Sequence, residues 1–344
     1  MIVSEDTVIW ATLSLEAYKA VDQSSSYGFK PTAFFHGRGP VWENGRAGKM
    51  DFINLVVSVL EGRGFNMQWM PFSEDIEALA RSDLRHLHVV LDDMPMVSSN
   101  IVFCIPSYLH GFWYFDPIGT RNNSSMKTKL FQPEKMSEDF AASFAAKLRS
   151  KFIDGNRSKF DQNMRAGFTP ESGSICIFSQ DFKEPKYYQH HMTYPELIEG
   201  IIAHRNGRHI YIKPHPRQCL EETMTLMSYH NPKKGVSVVD HSIHGLLANA
   251  AVAVSLSSAV LLEAQLHGVP GVVAGEVDFS HNMVQINTSR QIGSALEKAL
   301  SDQFQYEKYL VFFFAQGMAQ PHLQKKSIEH INSVLTAMGF DGNA

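Results

Sequence analysis

Between Ile175 and Gly275 the chain changes periodicity every few residues, and few folds satisfy that pattern. Short apolar runs, "ICIFS" (175–179), "HIYIK" (209–213), "GVSVVD" (235–240), "AVAVS" (251–255) and "PGVVAG" (270–275), have the length and bounds of buried strands. Helical stretches at 194–205, 219–230, 243–250 and 258–268 separate them. Parallel neighbours need a crossover, usually a helix, so this alternation predicts a parallel sheet covered by helices on both faces. Ligands of such sheets bind beyond the carboxyl ends of the strands. Five loops therefore matter most: "SQDFKEP", "KPHPRQ", "VVDHS", "SLSSA" and "GEVDFSH".

The first half is less regular. Strands are expected at 32–37, 65–70, 87–92, 100–105 and 112–116, and helices at 50–64, at 73–82 with Ser73 at its start, and at 137–155 beginning near Ser137. The stretch 288–338 reads as helical throughout. With 344 residues, two domains are the default. The expected fold is α/β, with two Rossmann-like lobes facing a central cleft and a helical C-terminal tail. A polar, Gly-containing stretch at 163–174 marks the boundary. The lobes are expected at 1–165 and 166–300, with helices of 301–344 packing back across them.

Composition closes off several classes. The balance of 31 basic and 35 acidic residues, with no basic run, gives no nucleic-acid tract. Three cysteines, an odd number at no metal-like spacing, indicate a reducing cytoplasm rather than a disulfide framework. Acids early in the N-terminal stretch argue against a signal peptide, and no run reaches the roughly 20 apolar residues of a membrane span. Peripheral association with the inner membrane or an assembly partner is compatible with all of this.

The loops carry the chemistry. In "VAVSLSSAVLLEAQLHG", Ser257 and Ser258 open a helix, where hydroxyls, backbone N–H groups and the positive dipole end favour a phosphate; simple capping is the plainer role of Ser257. Glu263 on the same helix sits among Leu261, Leu262 and Ala264, and a buried acid there suits ribose hydroxyls better than solvent. His215, held between Pro214 and Pro216, has little freedom and can donate to a phosphate oxygen, with Lys213 or Arg217 adding charge; a lone structural histidine is the alternative. Asp181 and Glu184 are the acids placed to act as base or nucleophile, against a turn role before Pro185, and Gln180 is placed to hold polar substituents of a donor. In the first lobe, His36 and Asp116 end apolar runs and are acceptor-side candidates, although His-Gly and Asp-Pro also serve ordinary turns. No metal is expected: in "YYQHHM" and "HSIH" no Cys or acid completes a ligand set, and the adjacent histidines should point apart. Walker, G-x-G-x-x-G and G-x-S-x-G motifs do not fit the glycine-rich stretches.

"IYIKPHP…VSVVDHSIHGLLANAAVAVSLSSAVLLEAQLHGVPGVV" resembles the GT-B glycosyltransferases of bacterial capsule and lipopolysaccharide assembly, most nearly the capsule group that includes β-Kdo transferases. The likeness covers about residues 174–285. It implies that His215 and Pro216 form the family's His-Pro motif, that Ser257 and Ser258 are its phosphate-binding serines, and that Gln180 is its donor-lobe glutamine. The family has an acid shortly beyond that glutamine; here Asp181 and Glu184 both follow, with Asp181 the choice for a nucleophile if the chain retains anomeric configuration. The implied donor is a nucleotide sugar, CMP-β-Kdo before others, with no cofactor and no obligatory metal, and the acceptor is a glycan or glycolipid. Two other classes remain: a GT-B nucleotide-sugar isomerase or epimerase, and a non-catalytic glycan-assembly protein.

Overall fold

The structure is a computed structural model, and it describes residues 30–162, 168–180 and 189–341. The chain separates into two compact units: one comprises residues up to Ser125 together with Gly317–Ala344, the other Met126–Gln316.

Among the described residues, the first unit contains β1 (Thr32–Gly37), α1 (Gly39–Arg46) and α2 (Asp51–Gly62), followed by β2 (Asn66–Pro71), α3 (Ile76–Ser82), β3 (Leu87–Val90) and β4 (Ile101–Phe103). Every pair in this sheet is parallel, in the order β2-β1-β3-β4. The apolar face of α2, with Phe52, Ile53, Val56 and Leu60 buried, covers Phe35 and Trp69, whose rings stack at 4.7 Å. The strand expected at 112–116 does not join the sheet. It makes isolated antiparallel bridges instead: Trp113 to Pro106 and Asp116 to Phe103, where the turn after Phe103 brings the chain back alongside itself, and Trp113 to Ala319. The helix expected from Ser73 starts later, with Ser73 Oγ accepting the Asp75 N–H at 3.2 Å in a turn before it.

In the second unit, α4 (Glu138–Arg149) is capped by Ser137, whose hydroxyl accepts the Phe140 N–H, and it runs on into a π-helical turn to Asp154. There follow β5 (Ser174–Phe178), α5 (Tyr194–His204), β6 (Ile210–Lys213), α6 (Leu220–Met227), β7 (Val236–Val238), α7 (Ile243–Leu247), β8 (Ala250–Ser255), α8 (Val260–Leu266), β9 (Gly271–Val273) and β10 (Val284–Gln285). A Thr193–Glu196 capping box starts α5. The strands are parallel throughout, ordered β10-β9-β8-β5-β6-β7. The chain leaves β5 first toward β6 and β7, then restarts on its other flank at β8. That is the doubly wound Rossmann order, with its switch point between β5 and β8.

The C-terminal stretch is interrupted rather than continuous: α9 (Ile292–Ser301) and α10 (Tyr306–Leu310) belong to the second unit, and α11 (Gln324–Ala337) to the first. Ile331 and Leu335 of α11 are buried in the core around α2, and Arg63 at the end of α2 donates from Nε to Asn332 Oδ1 at 2.8 Å. The division between units thus falls earlier in the chain than 165/166. Residues 138–162 lie in the second unit because Arg149 donates to Leu266 O at 2.8 Å and pairs with Glu307 at 2.7 Å. Among the described residues no helix is long and apolar enough to cross a membrane.

Candidate functional site

A pocket of about 590 Å³, part of it open to solvent, lies beyond the carboxyl ends of β5, β6 and β8. Parallel strands deliver their following loops to one sheet edge, so Phe178–Gln180, Lys213–Pro216 and Ser258–Val260 converge there by topology alone. Of the residues singled out from the sequence, Gln180, Lys213, His215, Pro216, Ser258 and Glu263 line it together.

Two glutamines and a serine network hold the loops in place. Gln218 Oε1 accepts from the His215 N–H at 3.1 Å and from Ser179 Oγ at 2.8 Å, while its Nε2 donates to Gln180 O at 3.1 Å. The loop after β6 is thereby locked to the loop after β5. Behind them, buried Ser255 Oγ donates to Phe178 O at 2.7 Å and accepts the Ser258 N–H at 3.1 Å. The Tyr194 hydroxyl lies 3.2 Å from both Phe178 O and Ser255 Oγ. Burial pushes the Tyr194 phenol up, so it stays a neutral hydrogen-bonding group.

His215 Nδ1 accepts the Arg217 N–H at 3.2 Å, which places the neutral ring's proton on Nε2. The ring meets Phe160 edge-on at 5.1 Å, and the Arg217 guanidinium lies 5.1 Å from the same phenyl ring. Lys213 extends its ammonium to Asp240, 3.2 Å away and largely exposed. Lys159 adds a second cation to the lining. Ser158, Lys159, Phe160 and Gln162 are lining residues that sequence reasoning missed, since it gave their segment to the first lobe. Gln162 ties that segment down by accepting the Ile243 N–H at 2.9 Å.

Glu263 is 3 % exposed. Ser158 Oγ donates to its Oε1 at 2.8 Å, while Oε2 is buried without a hydrogen bond and 3.6 Å from His244 Nε2. Burial raises the carboxyl to about 8 against the opposing Ser158 bond, so it is mostly protonated at neutral pH and has a proton to donate. His244 Nε2 meets Arg157 O at 2.9 Å and its Nδ1 meets His267 Nε2 at 3.0 Å; burial lowers both rings, so no imidazolium stabilises the carboxylate.

The serine pair divides its work differently from expectation. α8 begins at Val260, and Ser258 Oγ accepts the Val260 N–H at 3.3 Å in the turn before it. Ser257 does not cap: its hydroxyl donates to Gln180 Oε1 at 2.5 Å and lies 2.8 Å from His190 Nε2. The adjacent histidines do point apart, His191 toward Glu276 at 3.1 Å. Asp181 and Glu184 lie outside the described residues. In the first unit, His36 is fully buried with Nε2 2.9 Å from His88 Nδ1, and Asp116 accepts the N–H groups of Ile118, Gly119 and Ser125 at 2.8, 3.2 and 2.9 Å. Both side chains are therefore engaged locally, and neither lines the pocket. Among the described residues no group of His, Cys, Asp and Glu is arranged to hold a metal ion.

No family model and no curated protein matches the chain. Among solved structures, the Thermosulfurimonas dismutans KpsC β-Kdo 2,4 transferase aligns with 89% of this chain and 99% of its own, at 12% identity and a TM-score of 0.52. The KpsC β-Kdo 2,7 transferase of the same organism aligns with 87% and 99%, at 12% identity and a TM-score of 0.50. The likeness establishes the fold: two Rossmann-like lobes of the GT-B type.

Proposed function

We propose that the chain is a glycosyltransferase whose second unit holds a nucleotide-linked sugar donor, with CMP-β-Kdo the favoured donor and a bacterial surface glycan or glycolipid the acceptor. The observation that carries this reading is the meeting of His215, Lys213, Ser258 and Glu263 in one pocket at the switch point of a Rossmann sheet.

The roles follow from the groups. The donor's phosphate lies against the His215 Nε2–H and the turn that opens α8, with Lys213 balancing the charge that grows on the leaving phosphate. Protonated Glu263 and Ser158 meet ribose hydroxyls. The carboxylate of Asp181 or Glu184 attacks the anomeric carbon as the glycosidic C–O bond to the nucleotide breaks, giving a glycosyl ester and free nucleotide; an acceptor hydroxyl then displaces that ester and loses its proton. No residue of the reading requires a metal. We place the reaction in the cytoplasm, with the chain associating peripherally with the inner membrane where a glycolipid acceptor resides.

Binding of CMP, UDP and GDP to the purified chain, followed by calorimetry, tests the reading. CMP should bind most tightly, and CMP-Kdo should then be consumed only with an acceptor glycan. No binding of any nucleotide refutes the reading; donor turnover without acceptor marks an isomerase instead.

A further inference from the structure

The chain His190–Ser257–Gln180 runs from a loop the sequence offered only as a metal candidate to the wall of the pocket. Ser257 Oγ and Gln180 Oε1 are 2.5 Å apart, within the range of an O–H···O bond and below that of N–H···O. The serine has one proton, so giving it to Gln180 leaves Oγ to accept from His190 Nε2–H at 2.8 Å. The Gln180 carbonyl oxygen is thereby turned toward Ser257. Its amide NH2, which among the described residues meets no acceptor, belongs to a residue lining the pocket.

His190 is held for this purpose. The His191 N–H donates to Ala274 O at 3.1 Å and the Glu276 N–H to Gln189 O at 2.8 Å, pairing the loop antiparallel with Gly275. A Cβ at Gly275 would come within 3.0 Å of His190 Cδ2 and 2.8 Å of Leu256 O, so glycine permits the approach. On the far side, Glu276 holds His191 at 3.1 Å and Lys127 at 2.6 Å. Burial and the neighbouring His191 lower the His190 pKa, which keeps the ring neutral at pH 7.5.

We propose that His190 is a positioning residue that, through Ser257, fixes the rotation of Gln180 so that the pocket offers an N–H pair and selects a ligand oxygen that can only accept. Such an oxygen belongs to an oxyanion of the donor, its phosphate or the carboxylate of an acidic sugar. Ser257 thereby serves the site from behind Gln180 instead of holding the phosphate itself. The ligand end of this proposal rests on the donor-pocket reading; the orientation of the relay does not.

Ring-15N-labelled histidine NMR at pH 7.5 tests the relay without a ligand. The signal lost in His190→Gln identifies the residue, and it should show a protonated Nε2 and a bare Nδ1; the opposite tautomer overturns the proposal. Calorimetry with CMP, cytidine and CMP-Kdo reads the ligand end. His190→Leu should weaken an oxyanion-bearing ligand at least fivefold and leave cytidine unaltered, while His190→Gln, which can still donate to Ser257, should stay within twofold of wild type. Loss on CMP identifies the phosphate, and loss on CMP-Kdo alone identifies the carboxylate. Equal effects on all three ligands, or none, overturn the proposal. Should wild type bind no nucleotide, the donor reading fails and the tautomer alone decides the relay. Ser257→Ala, which removes the middle of the chain, gives the same comparison if His190→Leu does not fold.

Discussion

Lowering the pH from 7 to 5 should unfold the first unit at distinctly lower denaturant concentration. His36 and His88 are buried in contact at the centre of its sheet. Burial, and secondarily the charge of His86, takes His88 from 6.5 to about 3, and burial with the charge of His88 lowers His36 well below its ordinary value. Both groups have folded pKa values below their unfolded ones, so the unfolded chain binds protons first as pH falls below about 6.5. The stability of the folded unit is full above that value and declines as pH falls, until the folded pKa is reached near 3 for His88. At 1.36 kcal/mol per unit, His88 alone removes about 2 kcal/mol between pH 7 and pH 5, and His36 acts in the same direction. Asp83, held low mainly by its hydrogen bond from Arg85, is ionised in both states at pH 5 and loses its contribution only in more acid solution. The second unit, Met126–Gln316, contains no tryptophan, whereas Trp42, Trp69 and Trp113 lie in the first, so a change in tryptophan fluorescence does not report the other unit. With a urea slope of about 2 kcal/mol/M, the midpoint should fall by about 1 M or more. His88→Leu should be less stable at pH 7, since it strips His36 of its partner, yet its midpoint should depend less on pH. Coincident wild-type midpoints at the two pH values would refute the reasoning.

Three further outcomes follow from the pocket. His215→Ala should cut donor turnover at least tenfold while moving the thermal midpoint by no more than a few degrees; unaltered kinetics would remove His215 from the site. Glu263 has its folded pKa raised from 4.5 to about 8, so its favourable contribution is whole below 4.5 and is lost as pH rises toward 8. Glu263→Gln should flatten this dependence, gaining roughly 3–5 kcal/mol on wild type between pH 5 and pH 9 in chemical denaturation. Tyr194→Phe removes the hydroxyl that meets Phe178 O and Ser255 Oγ, and should cost about 1–2 kcal/mol by urea unfolding followed by circular dichroism.

The second sheet was legible because its strands are buried on both faces, so each reads as an unbroken apolar run of the right length; β5, β6 and β8 lie within a residue or so of their sequence positions. That pattern alone puts His215, Gln180 and Ser258 on one sheet edge. Segment 112–116 misled because Trp113, Tyr114 and Phe115 are as apolar as a strand, and pairing, not burial, distinguishes a strand from a buried bridge. The helix at 138–149 carries a buried stripe of Ala141, Ala145 and Leu148 that any core would accept. Its allegiance to the second unit depends on Arg149 reaching Leu266 and Glu307 far along the chain, which local pattern does not encode. The role of Ser257 was hidden for the same reason: its partner His190 is remote in sequence, and the bond arises from bridge pairing at Gly275.

The chain departs from the first unit at Ser125 and re-enters it at Gly317, which makes the second unit one uninterrupted insert. On a ribosome that insert is wholly synthesised while the first core still lacks Ile331 and Leu335, the side chains by which α11 closes over α2. The half of the molecule begun earliest is therefore the last able to consolidate, and its unfinished apolar surface is what a nascent-chain chaperone would have to shelter.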